Sequence, residues 1–342
     1  MRKEATLQKW KELYDLTLKI KAIEPWKYLA DTDIIQIELP TEKEPCFICV
    51  IGNNEETYGV ITYNGYRSFN SYIELSDALE MGIPSLYAMY EQDNLTCYFG
   101  DRKEVSPRQY KIISQLGLNF RGKNQWPYFL SCKPLYTPYL IDRSEVDLLI
   151  NVYREFIPLL KKIIAQEIRA DFYRNETVVR FYDKEAKTWK NEVRGLKYSP
   201  KSYLSLKIEE KHPIMDQIRS LATNNIVVEI DMNYFNTEID GKADGYDRPI
   251  NPKFLILLDK SSGMVIKQEM INPKKKEEEV ITDLLFQFIG NYGRPKAIHF
   301  RLPVFGYLLE DFCLKIGVPL IHKQKLPASD EFFEDFSTFF KK

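Results

Sequence analysis

Apolar residues recur along this chain with two different spacings, and the switches between them predict its elements. Leu7, Trp10, Leu13, Tyr14 and Leu18 follow the helical period, which predicts a helix over about 5–22. Glu24-Pro25-Trp26 ends it, because the residue before a proline avoids the helical region. Strands follow over 34–39 and 46–51, then a Gly52-Asn53-Asn54 turn and a returning strand over 58–63. A helix over 71–82 stops at Gly82, a short strand covers 96–99, and a helix runs from Ser106-Pro107 to Gly117. Next comes a loop rich in basic and aromatic residues, Phe120-Arg121-Gly122-Lys123-Asn124-Gln125-Trp126-Pro127. Ser144-Glu145-Val146-Asp147 has the character of a capping box, and Pro158 is expected to kink or restart the helix it opens. Three strands (177–182, 189–196 and 203–208) and a helix over 214–221 lead to the polar Thr223-Asn224-Asn225.

Beyond that point the pattern is cleaner. A β-branched run over 226–230 delivers Asp231, and a second apolar strand over 254–258 ends on Asp259. Lys260-Ser261-Ser262-Gly263 makes a tight turn into a strand over 264–269. Ile281, Leu284, Leu285 and Phe288 form the apolar stripe of a helix. A strand over 297–300, a helix over 304–316, a strand over 319–322 and a helix over 329–340 complete the chain. The expected fold class is α/β, with an α+β N-terminal part at 1–157, a basic β-rich middle segment at 158–223, and an α/β domain at 224–342.

Charge changes this picture at one place. The net charge of −1 provides no global field that would steer the protein to nucleic acid or a membrane. It divides, however, into −4 over 1–150, +5 over 151–223 and −2 over 224–342. The middle segment interleaves its cations with Phe172, Tyr173, Phe181, Tyr182, Trp189, Tyr198 and Tyr203, a mixture that suits single-stranded nucleic acid and equally an amphipathic hairpin with one buried face. The charged start lacks the apolar core of a signal peptide, and no apolar run is long enough to span a bilayer. A cytoplasmic protein with five reduced cysteines is therefore expected, with no membrane partner. Cys46 and Cys49 have the spacing of a metal knuckle, but on a strand their thiols face opposite sides, so they read as core. His212, His299 and His322 are far apart in sequence, although 299 and 322 fall on neighbouring strands.

Val228-Glu229-Ile230-Asp231, Leu258-Asp259-Lys260-Ser261-Ser262-Gly263 and Tyr292-Gly293-Arg294-Pro295-Lys296-Ala297-Ile298, in that order of elements, resemble the ribonuclease-H-like fold of integrases and transposases. The resemblance implies a mixed sheet flanked by helices. It also implies two divalent metals held by acids on the first strand, the fourth strand and the last helix. Asp231 is the first-strand match and the implied metal ligand, and Asp330, Glu331 and Glu334 are the candidates on the last helix. The fourth-strand position falls at or beside Arg301, which cannot ligate a cation. Pro25-Trp26 and the Phe120–Pro127 loop further resemble a family of uncharacterised bacterial proteins with this domain layout.

Two functions follow. The first is a non-catalytic binding or scaffold protein with no cofactor, for which nucleic acid is a candidate partner through the middle segment. The alternative is a phosphodiester hydrolase dependent on Mg²⁺ or Mn²⁺ that uses Asp231, Glu331 and Glu334 as catalytic acids. Asp231 also reads as a turn-capping residue, Asp259 as a turn residue, and the acids from 330 to 335 as favouring a helix N-terminus. Arg121, Lys123 and Trp126 are candidates to clamp a nucleic acid or phosphorylated ligand, or else form an anchored loop with a solvated basic edge.

Overall fold

The computed structural model describes residues 2–198, 213–234 and 238–339. The strand expected over 203–208, Tyr203 and His212 lie outside them. The chain is a mixed α/β protein that divides into two units, Met1–Tyr72 with Gln92–Lys133 and Pro138–Pro200, and Ile73–Glu91 with Pro134–Thr137 and Lys201–Lys342. No described helix is long and apolar enough to cross a membrane.

The elements in chain order are α1 (Leu7–Ile23), β1 (Ile35–Glu38), β2 (Cys46–Ile51), β3 (Tyr58–Asn64), α2 (Gly65–Met81), α3 (Ser85–Tyr90), β4 (Asn94–Gly100), α4 (Pro107–Gln115), β5 (Trp126–Cys132), α5 (Arg143–Ile164), β6 (Glu176–Asp183) and β7 (Thr188–Gly195). The first unit is built on a sheet ordered β5-β4-β3-β2-β1-β6-β7. All neighbours are antiparallel except β1 and β6, which run parallel from Ile35 opposite Val178 to Glu38 opposite Phe181. Thus β6 and β7, expected in a middle segment of their own, are the outer strands of this sheet. Their pairing partner lies some 140 residues upstream, a contact that local pattern does not encode.

Alternation along the strands sends Ile35, Ile48, Val60, Cys97 and Phe129 to one face, where they join Trp10, Tyr14, Val146, Tyr153 and Phe156 in a common core. On the opposite face Phe47 stacks on Phe69 of α2, with ring centroids 4.1 Å apart. Cys46 and Cys49 are both buried and unoxidised, with Cys46 in the main core and Cys49 donating to the Asp31 carbonyl. The N-cap of α5 is Asp142 with Glu145 in a capping box, two residues ahead of the expected start at Ser144. That helix runs without interruption past Pro158. Pro158 and Arg154, whose carbonyl loses its partner, both lie on the exposed side, where water can replace the missing bond.

The second unit continues with α6 (Pro213–Ser220), β8 (Val227–Tyr234), β9 (Lys253–Asp259), β10 (Val265–Ile271), α7 (Glu277–Tyr292), β11 (Ala297–Phe300), α8 (Pro303–Lys315), β12 (Leu320–His322) and α9 (Pro327–Phe339). Its sheet is ordered β10-β9-β8-β11-β12. β9 is antiparallel to β8 and β10, while β8, β11 and β12 are mutually parallel, as the helical connections require. Val228, Ile230 and Met232 pack with residues of α7 and α8 on one face. Ile256 and Leu258 meet Ala328 and Phe333 of α9 on the other.

Candidate functional site

β8 runs on to Tyr234, so Asp231 sits within the strand rather than at its end. Period-two alternation sends Glu229 and Asp231 to the same face, the one covered by α9. The parallel register sets His299 beside Glu229 and so carries Arg301, two residues on, to the position beside Asp231. Sequence periodicity and register together therefore bring a buried acid and a buried cation into contact.

The contacts are direct. Arg301 Nη2 donates to Asp231 Oδ2 at 2.5 Å, and Nη1 donates to Asp330 Oδ1 at 2.5 Å. Ser329 Oγ donates to the same Asp231 oxygen at 2.5 Å, and the Ser329 backbone N–H donates to Glu229 Oε2 at 3.1 Å. Asp231 is wholly buried and Arg301 is 5% exposed, whereas Asp330 lies at the edge with its side chain half exposed. Asp231 Oδ1, Glu229 Oε1 and Arg301 Nε are buried with no hydrogen-bond partner.

Burial raises the Asp231 pKa, against the pull of the Arg301 guanidinium and the Ser329 hydroxyl. Burial opposes the charge of Arg301, but Asp231 and Asp330 outweigh it and raise its pKa. Glu229 is also raised, by burial first, against the backbone N–H groups of Ser329 and Ala328 and the nearby Lys260. His299 is lowered by burial and by the positive charges of Lys260 and Lys323.

A carboxyl whose folded pKa lies above its unfolded value binds more protons in the fold. Its stabilising contribution is complete below the unfolded value, about 4.5 for Glu229, and is lost as pH rises through the folded one. Glu229→Gln, neutral throughout, is therefore expected to gain stability over the wild type as pH rises across that window. Thermal unfolding of both proteins from about pH 4 to pH 7 checks this, and a constant difference across the range counts against it.

The residues do not fit a divalent cation. A guanidinium occupies the space between Asp231 and Asp330, and it repels a metal rather than ligating one. Among the described residues, no group of three or more His, Cys, Asp or Glu side chains is placed to hold a metal ion. Glu331 and Glu334 lie on the exposed side of α9 and are not among the partners of Asp231, which are Arg301 and Ser329. Asp259 serves its turn, accepting from Ser261 and Ser262. His299 registers with Ile321 and Phe300 with His322, so the two histidines face opposite sides of the sheet.

The loop candidates also separate. Trp126 is buried against Phe120 and Tyr110 and is not available to stack on a ligand, while Arg121 and Lys123 are exposed. Of the cations in the middle segment, Arg180 is bonded to Glu155 and Asn191, Arg194 to Glu38, and Lys190 to Asp183. Glu155 and Asp183 are already counted in the segment's charge of +5, and Glu38 adds one acid to it from outside. Ser329, which joins Asp231 to Glu229, carries no signal in the sequence beyond its place in the first turn of a helix.

A model of the domain of unknown function DUF7309 matches residues 10–180, half of the chain. The chain belongs to the DUF7309 family. In this DUF7309 protein a second domain of unknown function, DUF6930, matches residues 214–337, the stretch that holds the Asp231–Arg301 cluster. No curated protein matches the chain.

Proposed function

We propose that residues 224–342 form a ribonuclease-H-like domain in which an ion triad stands in place of a metal centre. On this reading the protein is a non-catalytic binding or scaffold protein of the cytoplasm. The strand order and directions of the second sheet support the fold. The observation that carries the function is Arg301, whose two terminal nitrogens each contact an acid at 2.5 Å. Two-metal chemistry needs those carboxylate oxygens free to bridge cations. Here one oxygen of each acid is held by a guanidinium that cannot leave without stranding a buried charge.

Full-length protein incubated with single- and double-stranded DNA and RNA in Mn²⁺ or Mg²⁺ is expected to leave all four substrates intact. Cleavage that requires the metal and disappears in Asp231→Asn would overturn the reading and establish the hydrolase. A converse experiment uses Arg301→Asp, which replaces the cation with a third carboxylate beside Asp231 and Asp330. Mn²⁺ is expected to raise the Tm of this variant and to leave that of the wild type unchanged. Equal shifts in both would show that the guanidinium does not exclude the metal.

A further inference from the structure

The first unit contains a cleft of ≈ 650 Å³ at the end of its sheet where α1 stops. Trp26, Tyr58 and Phe99 line it, with the Trp26 ring centroid 5.0 Å from Tyr58 and 5.5 Å from Phe99. Gly52 brings backbone against these rings at φ +133°, and a Cβ there would fall 2.6 Å from the Tyr58 ring. The strand-to-strand turn thus approaches the aromatic wall as only glycine allows.

Lys21, Lys27 and Lys123 also line the cleft. Lys27 is ion-paired with Glu24. Among the described residues Lys21 has no carboxylate partner: its Nζ donates to the neutral amide oxygen of Gln125 at 2.6 Å and lies 5.5 Å from the centre of the Phe99 ring. An ammonium has three donors, and this one gives a single hydrogen bond to a neutral group. Partial burial lowers the pKa of Lys21. Removing a cation from water is unfavourable unless an anion or several acceptors replace the solvent. Lys123 is exposed and, among the described residues, also lacks an ion-pair partner, and the amides of Asn53 and Asn124 add neutral hydrogen-bonding groups.

We propose that this cleft binds a small organic anion with one carboxylate or phosphate group and a planar apolar part. The anionic group pairs with Lys21 and Lys123, and the planar part lies against Trp26 and Tyr58. Glu24 and Glu55 also line the cleft and oppose a ligand carrying many negative charges. That feature separates the site from a nucleic-acid groove, which must be positive along its length. The proposal does not depend on Arg301, because every residue it uses lies in the first unit.

The test is calorimetric titration of the full chain with phenyl phosphate, benzoate and neutral benzyl alcohol. Both anions, or one of them, are expected to bind at least about tenfold more tightly than the alcohol, a difference of about 1.4 kcal/mol. Lys21→Met is expected to remove that preference, and Lys161→Met, at an exposed position of α5 that does not line the cleft, to leave it intact. Lys123→Met, an exposed position that does not threaten folding, is expected to weaken the anions severalfold and so keeps the test decisive if Lys21→Met unfolds. Benzyl alcohol binding as tightly as the anions overturns the proposal. So does either anion binding undiminished to both lysine variants, or neither anion binding at millimolar concentration.

Discussion

Replacing Arg301 with methionine is expected to cost the second unit about 3–5 kcal/mol of stability, because it leaves the Asp231 carboxylate buried without its countercharge. Asp231 is wholly enclosed, and its remaining partner would be the Ser329 hydroxyl. Urea unfolding followed by tryptophan-independent circular dichroism measures the loss. The informative comparison is the pair Asp231→Leu with Arg301→Met. An apolar pair of similar volume in place of a buried ion pair is often neutral, so the double variant should recover most of the stability lost by the single one. If the double variant is instead as unstable as the two single changes summed, the acid and the guanidinium do not act as a unit. Asp330 is the control. Its side chain is half exposed, so Asp330→Asn should cost no more than about 1 kcal/mol.

A loss of the same size, about 3–5 kcal/mol, is expected for Lys253→Met; Lys253 pairs with Tyr234 at one end of the β8–β9 ladder. Lys253 is 3% exposed at its side chain and is paired with Glu91 at 2.8 Å and with Glu277. Burial disfavours the ammonium, but Glu277 and Glu91 together raise its pKa above the ordinary lysine value. The Tyr234 hydroxyl donates to the same Glu91 oxygen at 2.5 Å, and the rings of Tyr87 and Tyr234 lie 5.3 and 5.8 Å from the lysine nitrogen. Methionine keeps the length of the side chain and removes its charge, leaving two carboxylates facing each other without a cation. Adding Glu91→Gln should restore part of the loss. Denaturant midpoints for the two single variants and the double variant decide the point, and strict additivity would show that Lys253 is not the link between the acids.

These two clusters differ in how far the sequence discloses them. Asp231 and Arg301 stand out singly, because an acid and a base directly after apolar runs break the local pattern. Their contact requires the parallel register of β8 and β11, in which a slip of one residue would send Arg301 to the opposite face. Lys253 gives no such warning, since a lysine opening an apolar strand reads as a solvated end residue. Its burial follows from Glu91, which arrives from a segment about 160 residues earlier in the chain. Trp126 shows the reverse case. Among basic neighbours it suggests a stacking platform, yet the packing of Phe120 and Tyr110 encloses it.

The amino-acid sequence by itself determined most of the local elements of this protein, β5 and α3 excepted, because helix and strand periods, caps and turn residues act over a few positions. It accordingly yielded the order of strands and helices beyond residue 226, the tight turn after Asp259, and an arginine directly after an apolar strand. The tertiary structure alone decided that β6 pairs with β1, that Lys253 is buried between two acids, and that Lys21 lines a cleft with no carboxylate partner among the described residues. Each of these rests on contacts between residues far apart in the chain, whose free energy depends on burial and register rather than on neighbouring sequence.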